Sequence, residues 1–286
     1  MTHTLKAGAR QIDLSTPVCM GILNITPDSF SDGFELGKLG SDRFIVDIDK
    51  ALRHAEAMVR EGAQFIDVGG ESTRPGAVEV TAEEQLDRVL PVIEAIHANL
   101  DVCISVDTSS AEVMLAAIAA GAECVNDIRA LSEPGTIEVI KKSAVAICLM
   151  HMQGVPRTMQ TTFVYSNVVD EVLEFLKQKV ECCASLGIEK QRMLVDPGFG
   201  FGKSPQHNFQ LLKNLVLFKQ LQLPVLVGLS RKSMIGSATA RLVQDRLAGS
   251  IAATSYALLG GARIIRTHDV AATMDAIRVN SAYSSA

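Results

Sequence analysis

Short, nearly continuous apolar runs alternate with longer stretches whose apolar residues recur every three or four positions, from near the start of the chain almost to its end. The short runs predict strands over 18–25, 65–69, 103–107, 123–128, 145–151, 193–196, 224–229 and 263–268. The longer stretches predict helices over 44–61, 81–98, 110–120, 135–142, 166–186, 205–221, 239–259 and 270–280. Thr81-Ala82-Glu83-Glu84 reads as a capping box opening the second helix. Pro91 interrupts the pattern inside that helix and predicts a kink.

Eight strands and eight helices in strict alternation imply a parallel sheet covered by helices on its outer face. Eight such units in roughly 250 residues match the (β/α)8 TIM-barrel plan, an α/β fold. The 286 residues then form a single domain with a barrel core over about 18–280. The alternative is an open doubly wound sheet, which would want a glycine-rich dinucleotide turn after the first strand. That strand ends instead in Asn24-Ile25-Thr26-Pro27-Asp28.

In a barrel, function sits where the strands end. Those ends, or the loops just beyond them, hold Asn24, Glu71, Asp107, Asn126, His151, Asp196, Lys232, Arg266 and His268. Strand parity puts Met20, Ile22 and Asn24 on one face. It does the same for Cys124 with Asn126, Leu194 with Asp196, and Arg266 with His268. A common set of inward faces would converge on one pocket. Each residue has a structural alternative: Asp107 as a helix cap, Asn126 and Asp196 as turn formers, Arg266 with His268 as a structural pair, Lys232 as a solvated charge. Stability requires no such ring, so its convergence favours function.

Composition narrows the classes. The chain is 48% hydrophobic and 21% charged, with a net charge of −5 from 27 basic and 32 acidic residues. A nucleic-acid partner is disfavoured, because backbone phosphate binding usually shows as a basic excess. The six cysteines show neither a zinc-type pair nor a disulfide spacing, and four lie in apolar strand-like runs, which suits a reducing cytosol. The first residues carry no apolar signal-peptide core, and no apolar run is long enough to span a bilayer.

Gly198-Phe199-Gly200-Phe201-Gly202-Lys203-Ser204 ends like a phosphate-binding Walker loop, but the required first glycine is Pro197. His3, His54, His97 and His207 have no partner motif and read as surface residues. Arg74, Arg266 and His268, with Asn24, offer donors for an anion. Asp107 and Asp196 offer acceptors for the N–H edge of a heterocycle, and Asn126 can do both. The pocket suits a flat polar heterocycle at depth with an anionic group nearer the mouth. Lys232 as an aldolase-type Schiff base is disfavoured by its place beside Arg231 and by the absence of a carbonyl-substrate motif.

At this point the chain resembles a known family. Gly21-Ile22-Leu23-Asn24-Ile25-Thr26-Pro27-Asp28-Ser29-Phe30-Ser31-Asp32-Gly33 is similar to the first signature of the dihydropteroate synthases. Asp67-Val68-Gly69-Gly70-Glu71-Ser72-Thr73-Arg74-Pro75-Gly76 is similar to the second. The likeness continues in Ser105-Val106-Asp107-Thr108, Val125-Asn126-Asp127-Ile128, Leu149-Met150-His151-Met152-Gln153-Gly154, 196–203, Ser230-Arg231-Lys232-Ser233 and Arg266-Thr267-His268-Asp269-Val270. It spans about 18–280. Many members continue the first motif as Asp-Gly-Gly, where this chain has Asp32-Gly33-Phe34.

The resemblance implies a (β/α)8 barrel that joins 6-hydroxymethyl-7,8-dihydropterin diphosphate to 4-aminobenzoate, giving 7,8-dihydropteroate and diphosphate for folate. It implies Mg2+, a cytoplasmic location, a homodimer and sulfonamide sensitivity. By motif position, Asp107, Asn126, Asp196 and Lys232 would hold the pterin, with Met150, Phe201 and Gly228 also among the substrate-binding residues. Asn24 would ligate Mg2+, and Thr73, Arg74, Arg266 and His268 would cradle the diphosphate. Phe30, Pro75 and Ser233 would border the aminobenzoate. The catalytic set is then Asp107, Asp196, Lys232, Arg266 and His268. Two glycine-bearing loops, about 26–40 and 70–81, are expected to close over the pocket and impose pterin-first binding.

Two other classes remain at this stage. A pterin-dependent methyltransferase barrel would share the pterin pocket without needing the first signature or Arg266 with His268. A non-catalytic pterin or phosphate binder would be expected to lack Asn24 or Arg74, and both are present.

Overall fold

The computed structural model describes residues 4–26, 36–39, 44–72, 80–154 and 163–286. It opens with an antiparallel hairpin of Thr4–Ala7 (β1) and Arg10–Asp13 (β2), in which Ala7 faces Arg10 across the two-residue turn Gly8-Ala9. Gly8 has φ +59, the left-handed conformation that a glycine-first hairpin turn requires. The barrel strands follow as Val18–Asn24 (β3) and, after a short antiparallel pair of Gly37–Leu39 (β4) and Phe44–Val46 (β5), Ala63–Gly69 (β6). The rest are Cys103–Asp107 (β7), Cys124–Asp127 (β8), Ala146–Met150 (β9), Met193–Asp196 (β10), Leu226–Gly228 (β11) and Ile264–Thr267 (β12).

Around them lie Ile48–Glu61 (α1), Ala82–Asn99 (α2), Ala111–Ala119 (α3), Thr136–Lys142 (α4), Val168–Ser185 (α5), Pro205–Lys213 (α6), Ser233–Thr239 (α7), Leu247–Gly260 (α8) and Val270–Ser285 (α9). The parallel sheet runs β10-β9-β8-β7-β6-β3-β12-β11. It closes on itself through a bridge between Val195 and Val225, with the Val195 N–H donating to the Pro224 carbonyl at 3.0 Å. The barrel expected from the sequence is therefore present.

Two packed layers hold it. Outside, apolar residues of the strands meet the helices: Ile66 and Val68 of β6 belong to the same cluster as Val89, Val92 and Ile93 of α2. Inside, the opposite parity packs Met20, Phe65, Cys103, Cys124, Cys148, Leu194, Leu226 and Ile264 into a second cluster. Leu5, Ala7, Ile12 and Leu14 join this inner cluster, so the hairpin stoppers the lower end and the packed unit begins well before residue 18. Gly8 N–H donates to Ala144 O at 3.0 Å, and Arg10 reaches Glu123 and Asp101, each at 2.6 Å.

Some element bounds differ from the sequence reading. The first helix starts at Ile48, capped by Asp47, because Phe44–Val46 pairs as a strand. The helix expected over 205–221 stops at Lys213, and a 3-10 turn follows over Leu215–Leu221. The one expected over 239–259 begins only at Leu247 as α8, and α7, which the sequence reading did not expect, precedes it and ends at Ala240 with φ +54. The capping box at Thr81 and Glu84 is present, and α2 runs on through Pro91 as one element.

Candidate active site

Following the inner parity upward explains why the site lies where it does. Above Phe65 on β6 comes Asp67, above Cys103 on β7 come Ser105 and Asp107, and above Cys124 on β8 comes Asn126. Above Leu194 on β10 comes Asp196, and above Ile264 on β12 comes Arg266. Each of these strands changes from apolar to polar at its C-terminal end, on the face that cannot reach bulk water without crossing the pocket.

The centre is a buried charge cluster. Arg266 donates from Nε to Asp67 Oδ2 at 2.6 Å and from Nη2 to Asp107 Oδ2 at 2.9 Å. Asn126 Nδ2 donates to the same Asp67 oxygen at 3.0 Å. Asp67 is fully buried, and its Oδ1 has no hydrogen-bond partner; neither do Asn126 Oδ1 and Ser105 Oγ. Buried polar atoms left this way are costly. Several at the base of one cup point to a ligand with N–H groups.

Burial dominates the titration of these groups. It pushes the Asp107 carboxyl up to about 7, opposed by Arg266 and assisted by Asp67. It also raises Asp196, against the pull of Lys232. Burial lowers Lys232 to about 8, with Asp196 opposing. Arg266 stays protonated: burial is its largest influence, but Asp67 and Asp107 together outweigh it and raise it.

Asp196 Oδ1 accepts the Gly198 N–H at 2.7 Å, which fixes the turn that follows β10. Lys232, one residue before α7, donates to the Phe199 carbonyl, and its Nζ lies 4.8 Å from the centroid of the Phe201 ring. Gly228 lies between Lys232 and Arg266. A methyl group there would sit 3.8 Å from Lys232 Nζ and from Arg266 Cβ, so a larger side chain would invade the cup. Met150 is buried at the end of β9, and Ser233 is exposed at the start of α7. His268 pairs through Nδ1 with Ser230 Oγ at 3.0 Å.

Asp107, Asn126, Asp196, Lys232, Arg266, Gly228 and Phe201 are thus brought together, as the sequence reading expected. Phe30, Thr73, Arg74 and Pro75, along with Phe34 and most of both expected loops, lie outside the described residues. Asp67 and Lys203 stand inside the family-like motifs, yet the sequence implies no role for either. For Asp67 the signal was parity, two positions above Phe65. Of the four histidines read as surface residues, His207 instead completes a capping box with Ser204 at the start of α6.

Among the described residues no group of three or more His, Cys, Asp or Glu side chains could hold a metal. Mg2+ commonly takes one or two protein oxygens and completes its octahedron with phosphate and water. Asn24 fits that lesser part. Its Oδ1 lies 3.3 Å from where a Cβ on Gly69 would stand, so the oxygen is uncovered because residue 69 has no side chain.

The family model described as "Pterin binding enzyme" matches residues 20–268. The chain is 51% identical to the dihydropteroate synthase of Haemophilus influenzae, covering 99% of each sequence. A solved Yersinia pestis dihydropteroate synthase with a sulfonamide drug complex superposes with TM-score 0.93 at 47% identity, over 99% of this chain and all of the other. The Xanthomonas albilineans dihydropteroate synthase in complex with 7,8-dihydropteroate gives TM-score 0.85 at 40% identity, over 100% of both chains.

Proposed function

Because the chain belongs to the dihydropteroate synthases, within the pterin-binding enzymes, we propose the following division of labour at its barrel mouth. The enzyme is a transferase that joins 6-hydroxymethyl-7,8-dihydropterin diphosphate to 4-aminobenzoate, releasing 7,8-dihydropteroate and diphosphate. The observation that carries the residue assignment is the set of buried unsatisfied acceptors, Asp67 Oδ1 and Asn126 Oδ1, beside Asp107 and Asp196. Together they match the N–H edge of a pterin ring. Lys232 donates to a ring acceptor, and Met150, Phe201 and Gly228 shape a slot for the flat ring.

The exocyclic CH2–O bond breaks heterolytically, its electron pair leaving with the diphosphate while the pterin ring spreads the positive charge. Asp107 and Asp196 favour that cation electrostatically in a water-poor site. Arg266, held by two carboxylates, offers its positive charge to the departing oxyanion, and Ser230 orients His268 for the same anion. Thr73 and Arg74 complete the diphosphate cradle, and Phe30, Pro75 and Ser233 border the aminobenzoate. The aniline nitrogen then attacks the methylene carbon and sheds a proton. When bound through Asn24, Mg2+ supplies charge neutralisation on the diphosphate.

Mixing the two substrates should release one diphosphate per dihydropteroate, with turnover lost in excess chelator. No release from the mixture would overturn the assignment, and full turnover in chelator would remove Mg2+ from it. A pterin-dependent methyltransferase reading has no comparable support, because the relatives match as synthases over nearly the whole chain.

The pH dependence follows from the two shifted groups. Below about 7 Asp107 is protonated and loses acceptor capacity; above about 8 Lys232 is neutral and loses its charge-assisted donor. A plot of kcat/KM for the pterin diphosphate against pH should be a bell with its top between those values. A flat profile from pH about 6 to about 9 would remove both residues from the binding step.

Leu247, Tyr256 and Leu259 of α8 and Val279 and Tyr283 of α9 expose large apolar side chains on adjacent helices. We assign this face to a second copy of the chain in a homodimer. Tyr256→Lys with Leu259→Glu should sediment as a monomer where the native chain is a dimer; unchanged association would place the contact elsewhere. Among the described residues no helix is long and apolar enough to cross a membrane. The six unpaired cysteines suit a reducing cytoplasm, which cell fractionation would check.

A further inference from the structure

We propose that Lys203 is a positioning residue: its buried amine pins the 198–202 loop against the end of β9 and so aims Lys232 and Phe201 at the pterin. The proposal rests on the reading of this cup as the pterin pocket. Lys203 is only 4% exposed and sits in a shell of acceptors, with Asp196 partly offsetting the cost of its burial. Its Nζ lies 2.9 Å from His151 Nδ1, 3.2 Å from the His151 carbonyl, 2.8 Å from the Gly198 carbonyl and 2.9 Å from the Phe201 carbonyl. Burial, and after it Lys203 itself, holds the His151 imidazole down at about 3, so the ring is neutral at ordinary pH, and a donating Lys203 selects the tautomer with Nδ1 bare.

The loop needs such a pin. Gly198, Gly200 and Gly202 all have left-handed φ, at +71, +82 and +64. A Cβ on Gly198 would overlap the His151 carbonyl oxygen, and one on Gly202 the Gln153 carbonyl oxygen, so two backbones lie directly on one another. Carbonyls brought together in this way repel unless a donor is shared between them. Lys203 takes Gly198 and Phe201 on one side of the loop, which leaves the Phe199 carbonyl turned the other way to accept from Lys232. The glycines make the close approach possible, and the buried amine makes it definite. The segment that carries Lys232's partner would otherwise have many accessible conformations.

The test is Lys203→Met, which keeps the chain length and removes every donor. Calorimetry should show pterin diphosphate binding weakened about tenfold or more, with a matching rise in its KM, the scale of one misplaced charged hydrogen bond. The KM for 4-aminobenzoate at saturating pterin diphosphate should change less than about twofold, a split that general loosening of the fold would not give. Lys203→Gln, which restores two N–H donors on a shorter arm, should recover part of the loss. Unchanged pterin affinity in a folded variant, or equal losses for both substrates, would overturn the proposal. Should both variants fail to fold, nitrogen NMR of the native enzyme decides: His151 Nδ1 must be unprotonated from pH about 5 to about 8, and a proton there would sink the assignment. Absence of synthase activity in the native enzyme would instead count against the pterin-pocket reading. An active native enzyme with normal pterin binding in Lys203→Met would remove only the pin.

Discussion

Replacing Asp67 with alanine should destabilise the fold by about 3 kcal/mol and abolish detectable pterin binding. The low end of the range for breaking a buried ion pair applies because Arg266 keeps one of its two carboxylates. Asp67 is fully buried and accepts from both Arg266 and Asn126. Its loss would leave Arg266 Nε and Asn126 Nδ2 without acceptors in a place water reaches only through the cup. Asp67→Asn makes the point at nearly constant volume: an oxygen turned to Arg266 puts the new amide toward the cup, where it meets pterin N–H groups as a donor. Denaturant unfolding and calorimetry would check both variants. A stability loss below about 1 kcal/mol in Asp67→Ala would show that Arg266 re-pairs without cost.

The second large effect separates function from stability. Asp107→Asn and Asp196→Asn should each weaken pterin binding at least about tenfold and remove most activity, since each replaces a charged acceptor worth about 1.5–3 kcal/mol. Folding should be barely affected, for a reason peculiar to raised carboxyls. The folded Asp107 binds its proton more tightly than the unfolded chain does, so its contribution to stability is present in acid and fades as pH climbs to about 7. Above that pH the ionised group is a net burden on the fold, and a neutral amide lifts it. Asp196 shifts in the same direction. Near-normal pterin affinity in both variants would reject their assignment, and a large drop in melting temperature at pH about 8 would reject the account of the carboxyls.

The barrel was legible because near-continuous apolar strands alternating with amphipathic helices leave little architectural choice, and the eight strands fell within two residues of their expected bounds. Parity alone put Asn126 on a face with Cys124 and Asp196 on a face with Leu194, and both Cys124 and Leu194 pack inside the barrel. The amino-terminal hairpin escaped notice although Leu5, Ala7, Ile12 and Leu14 alternate with polar residues, because two four-residue strands give too short a signal to stand apart from a tail. The split between α7 and α8 was equally hidden: Ala240 in the left-handed region is set by packing, and no glycine marks it. Lys203 was the least legible of these residues. Its sequence neighbours suggested a failed phosphate loop, and only the fold reveals that the acceptors around it come from two strands' ends.

The amino-terminal hairpin has a consequence for traffic. With Leu5, Ala7, Ile12 and Leu14 wedged among Met20, Phe65 and Leu194, the lower end of the barrel is filled, so the proposed ligands would come and go past the ends of the strands. Occupants of a cul-de-sac form a queue. The pterin half, in its proposed place beside Asp67 and Asn126, would have to arrive before its partner and depart behind it. On the proposed arrangement, pterin-first order would follow from the filled end of the barrel, because a 4-aminobenzoate already standing nearer the mouth would bar the way.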